Sequence, residues 1–303
     1  MKRRIFIKTM ACLLLICAGC QSISNKSQEN TIYTSIYPIQ FITDQIVGDT
    51  ATVLSVYPPG VDAHSFEPTS RTITDIATSE AFIYLGAGME GFSESTSAAL
   101  QSTDVTFIEI GHHESLFLQT HDDHHGHDHG DFDPHIWFDP LRMQAMAEII
   151  SEQLIDRSPE YASLYQANLN HLIDDLQALD EAFTDVLDSK ENKEIVVTHA
   201  AYGYWEDRYG IKQIPISGLN ASSEPSQKTL VDIVKTAQDH DIQHVLFEQN
   251  TSNHVAKVIQ QYIGADVLYI HNLEVLTDQD IANGDDYFSL MKQNLETLDQ
   301  ATN

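Results

Sequence analysis

The feature that most constrains the fold is a regular alternation of short β-branched runs with segments able to form helices. Four runs precede residue 111 and four follow residue 193. They span residues 31–36, 51–57, 81–85, 105–110, 194–198, 211–216, 244–248 and 266–270. Strands that alternate with helices form parallel sheets through right-handed crossovers. The 303 residues therefore predict an α/β protein with two lobes, each a four-stranded, mostly parallel sheet flanked by helices.

A long amphipathic stretch separates the two sets of strands. Apolar side chains recur at helical spacing over residues 143–154 and again over residues 161–187. Ser158 and Pro159 suit the cap and the first position of the second helix. A helix from Pro159 to Asp188 would be about 45 Å long and would join the lobes as a rigid backbone; two shorter helices with a hinge are the alternative. The predicted division is an N-terminal lobe at 31–157, a linking helix at 158–190 and a C-terminal lobe at 191–303.

The N-terminus carries the pattern of an export signal. A basic start is followed by an apolar stretch that is too short to span a membrane. It ends in Cys17-Ala18-Gly19-Cys20, which resembles a bacterial lipobox. We expect residues 1–19 to be a lipoprotein signal peptide, Cys20 to carry the lipid and residues 20–30 to form a flexible tether. An ordinary cleaved signal peptide is the alternative. Both place the protein on the extracytoplasmic side of the membrane.

The charge balance limits the classes of partner. The chain has 45 acidic and 16 basic residues, a formal net charge of −29. So acidic a surface repels phosphate backbones, which excludes nucleic acid as a partner. The 42% of hydrophobic residues also exclude a disordered acidic chain.

Three histidines and a glutamate lie where predicted strands end. His64 and His135 follow strands of the first lobe, whereas His199 and Glu274 follow strands of the second. Ligands of open parallel sheets bind beyond the carboxyl ends of the strands. A single loop histidine is usually a surface residue, but four nitrogen and oxygen donors between two lobes predict a closed tetrahedral site suited to zinc.

Longer segments carry a resemblance to a known family. They read PPGVDAHSFEPTS, DFDPHIWFDPLRM, VVTHAAYGYWEDRYGI, ISGLNASSEPS and DDYFSLMKQNLETL, in this order. They resemble the metal-binding solute-binding lipoproteins of bacterial ABC importers (cluster A-I, family 9), and within them the zinc branch called ZnuA or AdcA. The resemblance implies a monomeric, non-enzymatic receptor that delivers Zn²⁺ to an ABC permease and its ATPase.

The resemblance also implies which residues hold the metal. His64, His135 and His199 match the family's metal-binding histidines. The fourth position varies in the family; we expect Glu274, with Asp278, Asp280, His271 or water as alternatives. Manganese binders of the family tend to have glutamate where this chain has His199, and imidazole favours zinc. A manganese receptor, and a zinc hydrolase if water is the fourth ligand, remain as alternatives, although no HExxH motif is present.

A histidine-rich run is the second unusual feature. Seven of the 15 histidines lie close together, interleaved with acidic residues. They are His112, His113, His121, His124, His125, His127 and His129. This run predicts a mobile loop at 112–130 that binds zinc weakly as an auxiliary site. Its role could be to capture metal for the main site, to sense zinc, or merely to be a solvated loop.

Several other side chains have less specific roles. Glu67, Asp139 and Glu248 lie near the candidate ligands or at a strand end, and could hydrogen-bond a ligand imidazole or cap a helix. His240 and His244 have the spacing of a helical zinc pair but lie across a predicted helix end. We interpret both as structural or surface residues.

Overall fold

The computed structural model describes residues 30–119, 132–220, 225–249 and 254–302. The predicted signal peptide, Cys20 and nearly all of the tether lie outside these residues. Five of the clustered histidines also lie outside them: His121, His124, His125, His127 and His129. Within the described part of the chain, no helix is both long enough and apolar enough to cross a bilayer.

The first sheet lies at the start of the chain. It contains β1 (Thr31–Thr34), β2 (Thr52–Ser55), β3 (Ala81–Tyr84) and β4 (Thr106–Glu109), in the spatial order β2-β1-β3-β4. All its strand pairs are parallel. The connections contain the helices α1 (Tyr37–Val47), α2 (Ser70–Ile76) and α3 (Ser93–Ala99).

A two-stranded antiparallel hairpin follows, which the sequence patterns did not indicate. Its strands are β5 (Leu118–Gln119) and β6 (Phe132–Asp133), with Leu118 opposite Asp133. Two residues per strand are too few for periodicity to reveal. β5 and a 3-10 turn at Glu114–Leu116 lie within the stretch 112–130 that was predicted as a loop, so the first part of that stretch has regular structure. The hairpin brings Gln119 opposite Phe132, on either side of residues 120–131.

The long helical region has a different start from the one predicted. α4 (Pro140–Arg157) is followed by a 3-10 turn at Pro159–Tyr161 and then by α5 (Ala162–Leu187). The Ser158 side chain does not cap the turn; its Oγ lies 3.5 Å from Glu80 Oε1. The 26 residues of α5 span about 39 Å, which confirms a single long helix and excludes a hinge within it.

The second sheet repeats the strand order of the first. It contains β7 (Glu194–His199), β8 (Lys212–Ser217), β9 (His244–Glu248) and β10 (Asp266–Ile270), in the order β10-β9-β7-β8. Every pair is parallel. Its helices are α6 (Gly203–Tyr209), α7 (Gln227–Asp239) and α8 (His254–Ile263), followed by α9 (Asp278–Asn283) and α10 (Tyr287–Ala301). The predicted α/β architecture with two four-stranded sheets is therefore confirmed.

One hydrophobic core connects the two sheets through α5. The helix contacts α1 on the side of the first sheet, and α6 and α10 on the side of the second. Side chains alternate along β7, so Ile195 and Val197 face this shared core. Val196 faces a separate core that α7 and α8 cover. The second sheet is thus buried on both faces, as parallel sheets require.

A buried carboxylate links α5 to α6. Asp180 accepts hydrogen bonds from Arg208 Nε at 2.8 Å and from Arg208 Nη2 at 2.6 Å. The Tyr209 hydroxyl donates a third, at 2.9 Å. The aspartate is almost fully buried, so its loss would leave a guanidinium and a hydroxyl without their partner.

We expect Asp180→Ala to lower the free energy of unfolding by about 1–2 kcal/mol, because the buried Tyr209 hydroxyl loses its hydrogen-bond partner. The Arg208 guanidinium is 34% exposed and can be hydrated, so the lost ion pair adds little. Urea denaturation followed by circular dichroism measures this. Asp175→Ala removes an exposed carboxylate from the same helix and should change the stability by less than about 0.5 kcal/mol. Equal losses in the two variants would contradict the assigned role of Asp180.

Candidate metal centre

The four predicted ligands come from four separate parts of the chain. His64 lies in the loop between β2 and α2, and His135 lies between β6 and the 3-10 turn at Ile136–Phe138. His199 is the last residue of β7, and Glu274 lies in the loop between β10 and α9. His64, His199 and Glu274 therefore lie beyond the carboxyl ends of strands of the two parallel sheets, as expected. His135 follows the antiparallel hairpin instead of a strand of the first sheet.

The side chains of these residues converge closely. Their donor atoms all lie within 4.8 Å of one another, and no other such group of three or more residues occurs in the described ranges. Glu274 Oε1 lies 3.4 Å from His64 Nε2, 3.7 Å from His199 Nε2 and 3.9 Å from His135 Nε2. Ligands of a tetrahedral zinc ion at about 2.05 Å are about 3.3 Å apart. The donor spacing is slightly wider than that value and needs only small movements to reach it.

The same four atoms are buried without partners. His64 Nε2, His135 Nε2, His199 Nε2 and Glu274 Oε1 are shielded from solvent, and none makes a hydrogen bond of acceptable geometry with a described residue. A buried polar atom without a partner costs about 1–3 kcal/mol. Four that face one another are explained by a cation that satisfies all of them. Three neutral imidazoles and one carboxylate would leave one formal positive charge on a divalent ion.

Glu248 orients the imidazole of His199. Its Oε1 lies 2.7 Å from His199 Nδ1 and also accepts a hydrogen bond from the Thr198 hydroxyl. Burial lowers the pKa of His199, but the charge and hydrogen bond of Glu248 outweigh burial and raise it to about 9. Because Nδ1 faces the carboxylate, Nε2 is directed at the cluster. Of the two roles left open for Glu248, the geometry favours support of a ligand.

Asp133 has the corresponding role for His135, and the sequence analysis missed it. Asp133 Oδ1 lies 2.7 Å from His135 Nδ1. A Cβ at residue 203 would lie 2.6 Å from Asp133 Oδ2, so Gly203 leaves room for this carboxylate. Burial is the main cause that lowers the pKa of His135. The available signal was an aspartate two residues before a candidate ligand.

The alternatives to Glu274 have other contacts. His271 Nε2 lies 3.0 Å from Asp280 Oδ2, and its Nδ1 accepts the N–H of Leu273. Asp278 is exposed in the first turn of α9. Burial would raise the pKa of Glu274, but the imidazoles of His64, His199 and His135 lower it to about 2. The geometry therefore favours an ionised Glu274 as the fourth donor.

Other residues considered from the sequence lie away from the cluster. Asp139 caps α4 by accepting the N–H of Leu141 at 2.9 Å, the second of its two possible roles. Glu67 is exposed. His112 Nε2 lies 3.3 Å from Glu109 Oε2 with 78% of its side chain exposed, and His113 is also exposed. His240 pairs with Glu194, and His244 begins β9, which agrees with their structural interpretation.

The loop that carries Glu274 is hydrogen-bonded to residues from the first half of the chain. Trp137 Nε1 donates to the Asn272 carbonyl at 2.9 Å, and its ring centroid lies 5.2 Å from that of His135. The Tyr37 N–H donates to the Glu274 carbonyl at 2.8 Å, and the Gly60 N–H donates to that of Leu276 at 3.0 Å. These three hydrogen bonds thus fix the position of the Glu274 loop relative to the histidines of the first half of the chain.

Comparison with known proteins gives one consistent group. The family described as zinc-uptake complex component A, periplasmic (ZnuA), matches residues 32–301. The zinc-binding protein AdcA of Streptococcus pyogenes serotype M3 is 33% identical over 283 residues, which cover 88% of this chain and 55% of that protein. The high-affinity zinc uptake system protein ZnuA of Bacillus subtilis is 31% identical over 95% of this chain and 94% of its own length.

A solved structure gives the same result. The Zn(II)-bound ZnuA-like domain of Streptococcus pneumoniae AdcA superposes with a TM-score of 0.75 at 30% identity. The match covers 90% of this chain and 99% of that domain. The chain spans about half the length of the streptococcal AdcA relatives, for example 55% of the Streptococcus pyogenes protein.

Proposed function

The chain belongs to the ZnuA family of zinc-uptake components, and from this premise we propose that it is an extracytoplasmic receptor that binds Zn²⁺ for uptake by an ABC permease. The observation that carries the proposal is the group of four buried donor atoms without hydrogen-bond partners. Zn²⁺ is the cargo here. The protein contributes a preformed set of donors that replaces the hydration shell of the ion.

The donor set favours zinc over manganese. Three imidazole nitrogens and a single carboxylate suit zinc, whereas manganese prefers sites rich in oxygen ligands. His199 decides this composition because it is held by Glu248 with its Nε2 towards the cluster. We assign the ligand roles to His64, His135, His199 and Glu274, with Glu248 and Asp133 as the residues that orient two of the imidazoles.

The same donor set argues against a hydrolase. A catalytic zinc keeps one coordination position open for water, with three protein ligands in the other positions. Four protein donors surround one point here, so a bound ion would have no open position. We therefore propose a binding function without catalysis.

The partners and location follow from the family. We propose that Cys20 carries the lipid anchor, that residues 20–30 tether the folded protein, and that the receptor works as a monomer with an ABC-type permease and its ATPase. A relative in Streptococcus pneumoniae is named zinc-binding lipoprotein AdcA, which supports the anchor. We also propose the division into lobes at 31–157 and 191–303 with a linking helix at 158–190, because each lobe then contains one complete parallel sheet.

Metal competition tests the proposed function. The purified protein, stripped with a chelator, is expected to bind one Zn²⁺ per chain tightly and to retain it against a roughly 100-fold excess of Mn²⁺. Metal analysis after gel filtration gives the stoichiometry, and competition with a chromophoric chelator gives the affinity. Retention of Mn²⁺ in preference to Zn²⁺ would contradict the zinc assignment and the interpretation of His199.

The histidine-rich run has a separate proposed role, the capture of zinc at weaker auxiliary sites. Its described members, His112 and His113, are exposed, as a capture site requires. Gln119 and Phe132 are paired across the hairpin, so residues 121–130 can be replaced by a short Gly-Ser linker that leaves β5 and β6 intact. In the same titration, the shortened protein should keep the tight Zn²⁺ and lose the weaker ones. Unchanged weak binding would contradict the capture role.

A further inference from the structure

Three of the four proposed ligands follow the same local pattern. Each lies two residues after an aspartate or asparagine whose side-chain oxygen accepts the ligand's own backbone N–H. Asp62 Oδ1 accepts the N–H of His64 at 3.0 Å, and Asp133 Oδ1 accepts that of His135 at 3.0 Å. Asn272 Oδ1 accepts that of Glu274 at 3.3 Å. Such contacts are Asx turns, in which a side chain imitates a backbone turn.

The fourth ligand shows where this pattern is needed. His199 is the last residue of β7 and is in register with Ser217 of β8. Its backbone direction is set by the parallel ladder, and the residue two before it is Val197. The other three ligands lie in loops, where no ladder sets the backbone. The Asx turns are therefore confined to the ligands that have no strand to position them.

The turn before Glu274 has a second support. Its central residue, Leu273, has a φ of +61°, in the left-handed region that residues other than glycine seldom adopt. His271 Nδ1 accepts the N–H of Leu273 at 2.9 Å, and His271 Nε2 lies 3.0 Å from Asp280 Oδ2. Two successive side chains thus accept two successive backbone N–H groups, which holds the strained loop and directs Glu274 towards the histidines.

We propose that Asp62, Asp133 and Asn272 are positioning residues that preorganise the three ligands in loops. Each does so by accepting the backbone N–H of the ligand two residues later. The inference rests on the proposed zinc-binding function. An Asx turn fixes the backbone at the ligand and with it the direction of the Cα–Cβ bond. Without it, the loop must be ordered when the ion binds, which weakens binding and distorts the donor geometry.

Asp62 is the position to test first, although its Oδ2 also accepts a hydrogen bond from the Ser65 hydroxyl at 2.8 Å, because that contact is exposed. Asp133, by contrast, contacts the His135 ring, and Asn272 lies 3.5 Å from Glu248. Asp62→Ala is expected to raise the Kd for Zn²⁺ about 10-fold or more, whereas Asp62→Asn, which keeps the acceptor oxygen, should stay within about 3-fold of the wild type. Co²⁺ bound by Asp62→Ala should show weaker visible d–d absorption, because the site departs from tetrahedral geometry.

A matched control comes from an Asx turn of the same geometry away from the site. Asn192 Oδ1 accepts the N–H of Glu194 at 3.0 Å, at the opposite end of β7 from His199 and about 17 Å away along the strand. Asn192→Ala should leave the Kd and the Co²⁺ spectrum within about 2-fold of the wild type. Thermal unfolding of the metal-free proteins should show similar, small shifts of about 3 °C for Asp62→Ala and Asn192→Ala.

Two results would overturn the positioning role: an unchanged Kd in Asp62→Ala, or equal losses in Asp62→Ala and Asp62→Asn, which would assign the effect to charge. Asn272→Ala gives an independent measurement and should weaken Zn²⁺ binding to a similar degree. Failure of the wild type itself to bind Zn²⁺ in the parallel titration would contradict the proposed function. Tight wild-type binding with unaffected variants would refute only the positioning role.

Discussion

Replacement of Glu274 by alanine is expected to weaken Zn²⁺ binding about 100-fold. Zinc held by four protein donors binds with about 10–16 kcal/mol, or about 3 kcal/mol for each donor, and about 3 kcal/mol corresponds to roughly two powers of ten in Kd. Glu274 also supplies the only negative charge among the four donors. Its loss leaves three neutral imidazoles around a divalent ion, so the remaining site has the composition of a catalytic zinc with an open position.

Competition with a chromophoric chelator measures this loss, and intrinsic fluorescence gives a second readout because Trp137 lies beside His135. Glu274→Gln keeps the size of the side chain without its charge and should lie between the wild type and Glu274→Ala. Asp278→Ala is the matched control, since it removes an exposed carboxylate from the same segment. A larger loss in Asp278→Ala than in Glu274→Ala would show that the fourth ligand has been assigned wrongly.

Trp205→Ala is expected to lower the free energy of unfolding by about 4 kcal/mol, within the range for a fully buried aromatic side chain. Trp205 is completely buried, and its ring centroid lies 4.7 Å from Phe138, 5.0 Å from Tyr202 and 5.9 Å from Phe183. Its Nε1 donates to the Phe138 carbonyl at 2.8 Å. These neighbours come from the segment before α4, from α5 and from the second half of the chain. The substitution therefore opens a cavity where the two halves meet.

Urea denaturation measures the stability of this variant. Because one core connects both sheets, the wild type and the variant should each unfold in a single transition, and the variant should have the lower midpoint. Tyr262→Ala provides a control, since that ring is 72% exposed and its removal should cost less than about 0.5 kcal/mol. A loss below about 1 kcal/mol in Trp205→Ala would show that this junction contributes little to stability.

The strands were predictable because their signal is local. The runs at 244–248 and 266–270 coincide with β9 and β10, since short runs rich in β-branched and aromatic residues favour strands. This holds both for the buried β9 and for β10, a largely exposed edge strand. The run at 31–36 is longer than β1 because Ile36 already occupies the residue before the first turn of α1. The start of the long helix was predicted less well. Pro159 begins a 3-10 turn, and the Ser158 hydroxyl contacts Glu80, 78 residues earlier in the chain.

The partners of the site were less predictable than its ligands. Asp139 and Asp133 are both close to His135 in sequence, yet Asp139 caps a helix and Asp133 contacts the imidazole. Sequence spacing does not distinguish them, because the outcome depends on the room left by Gly203 of another segment. The pairing of His271 with Asp280 was also missed, and it separates two of the alternative ligands from the site.

The sequence by itself determined the α/β class, the two sets of four strands, the long helix and the positions of the four candidate donors, because strand runs, helical spacing and strand ends are encoded over a few residues. Only the tertiary structure decided that the four donors converge and that Glu248 and Asp133 orient two of them. It also decided that Glu274, and not its neighbours, faces the histidines. These contacts join residues up to 210 positions apart, from His64 to Glu274, and such distant residues meet only when the shared core packs the two sheets against α5.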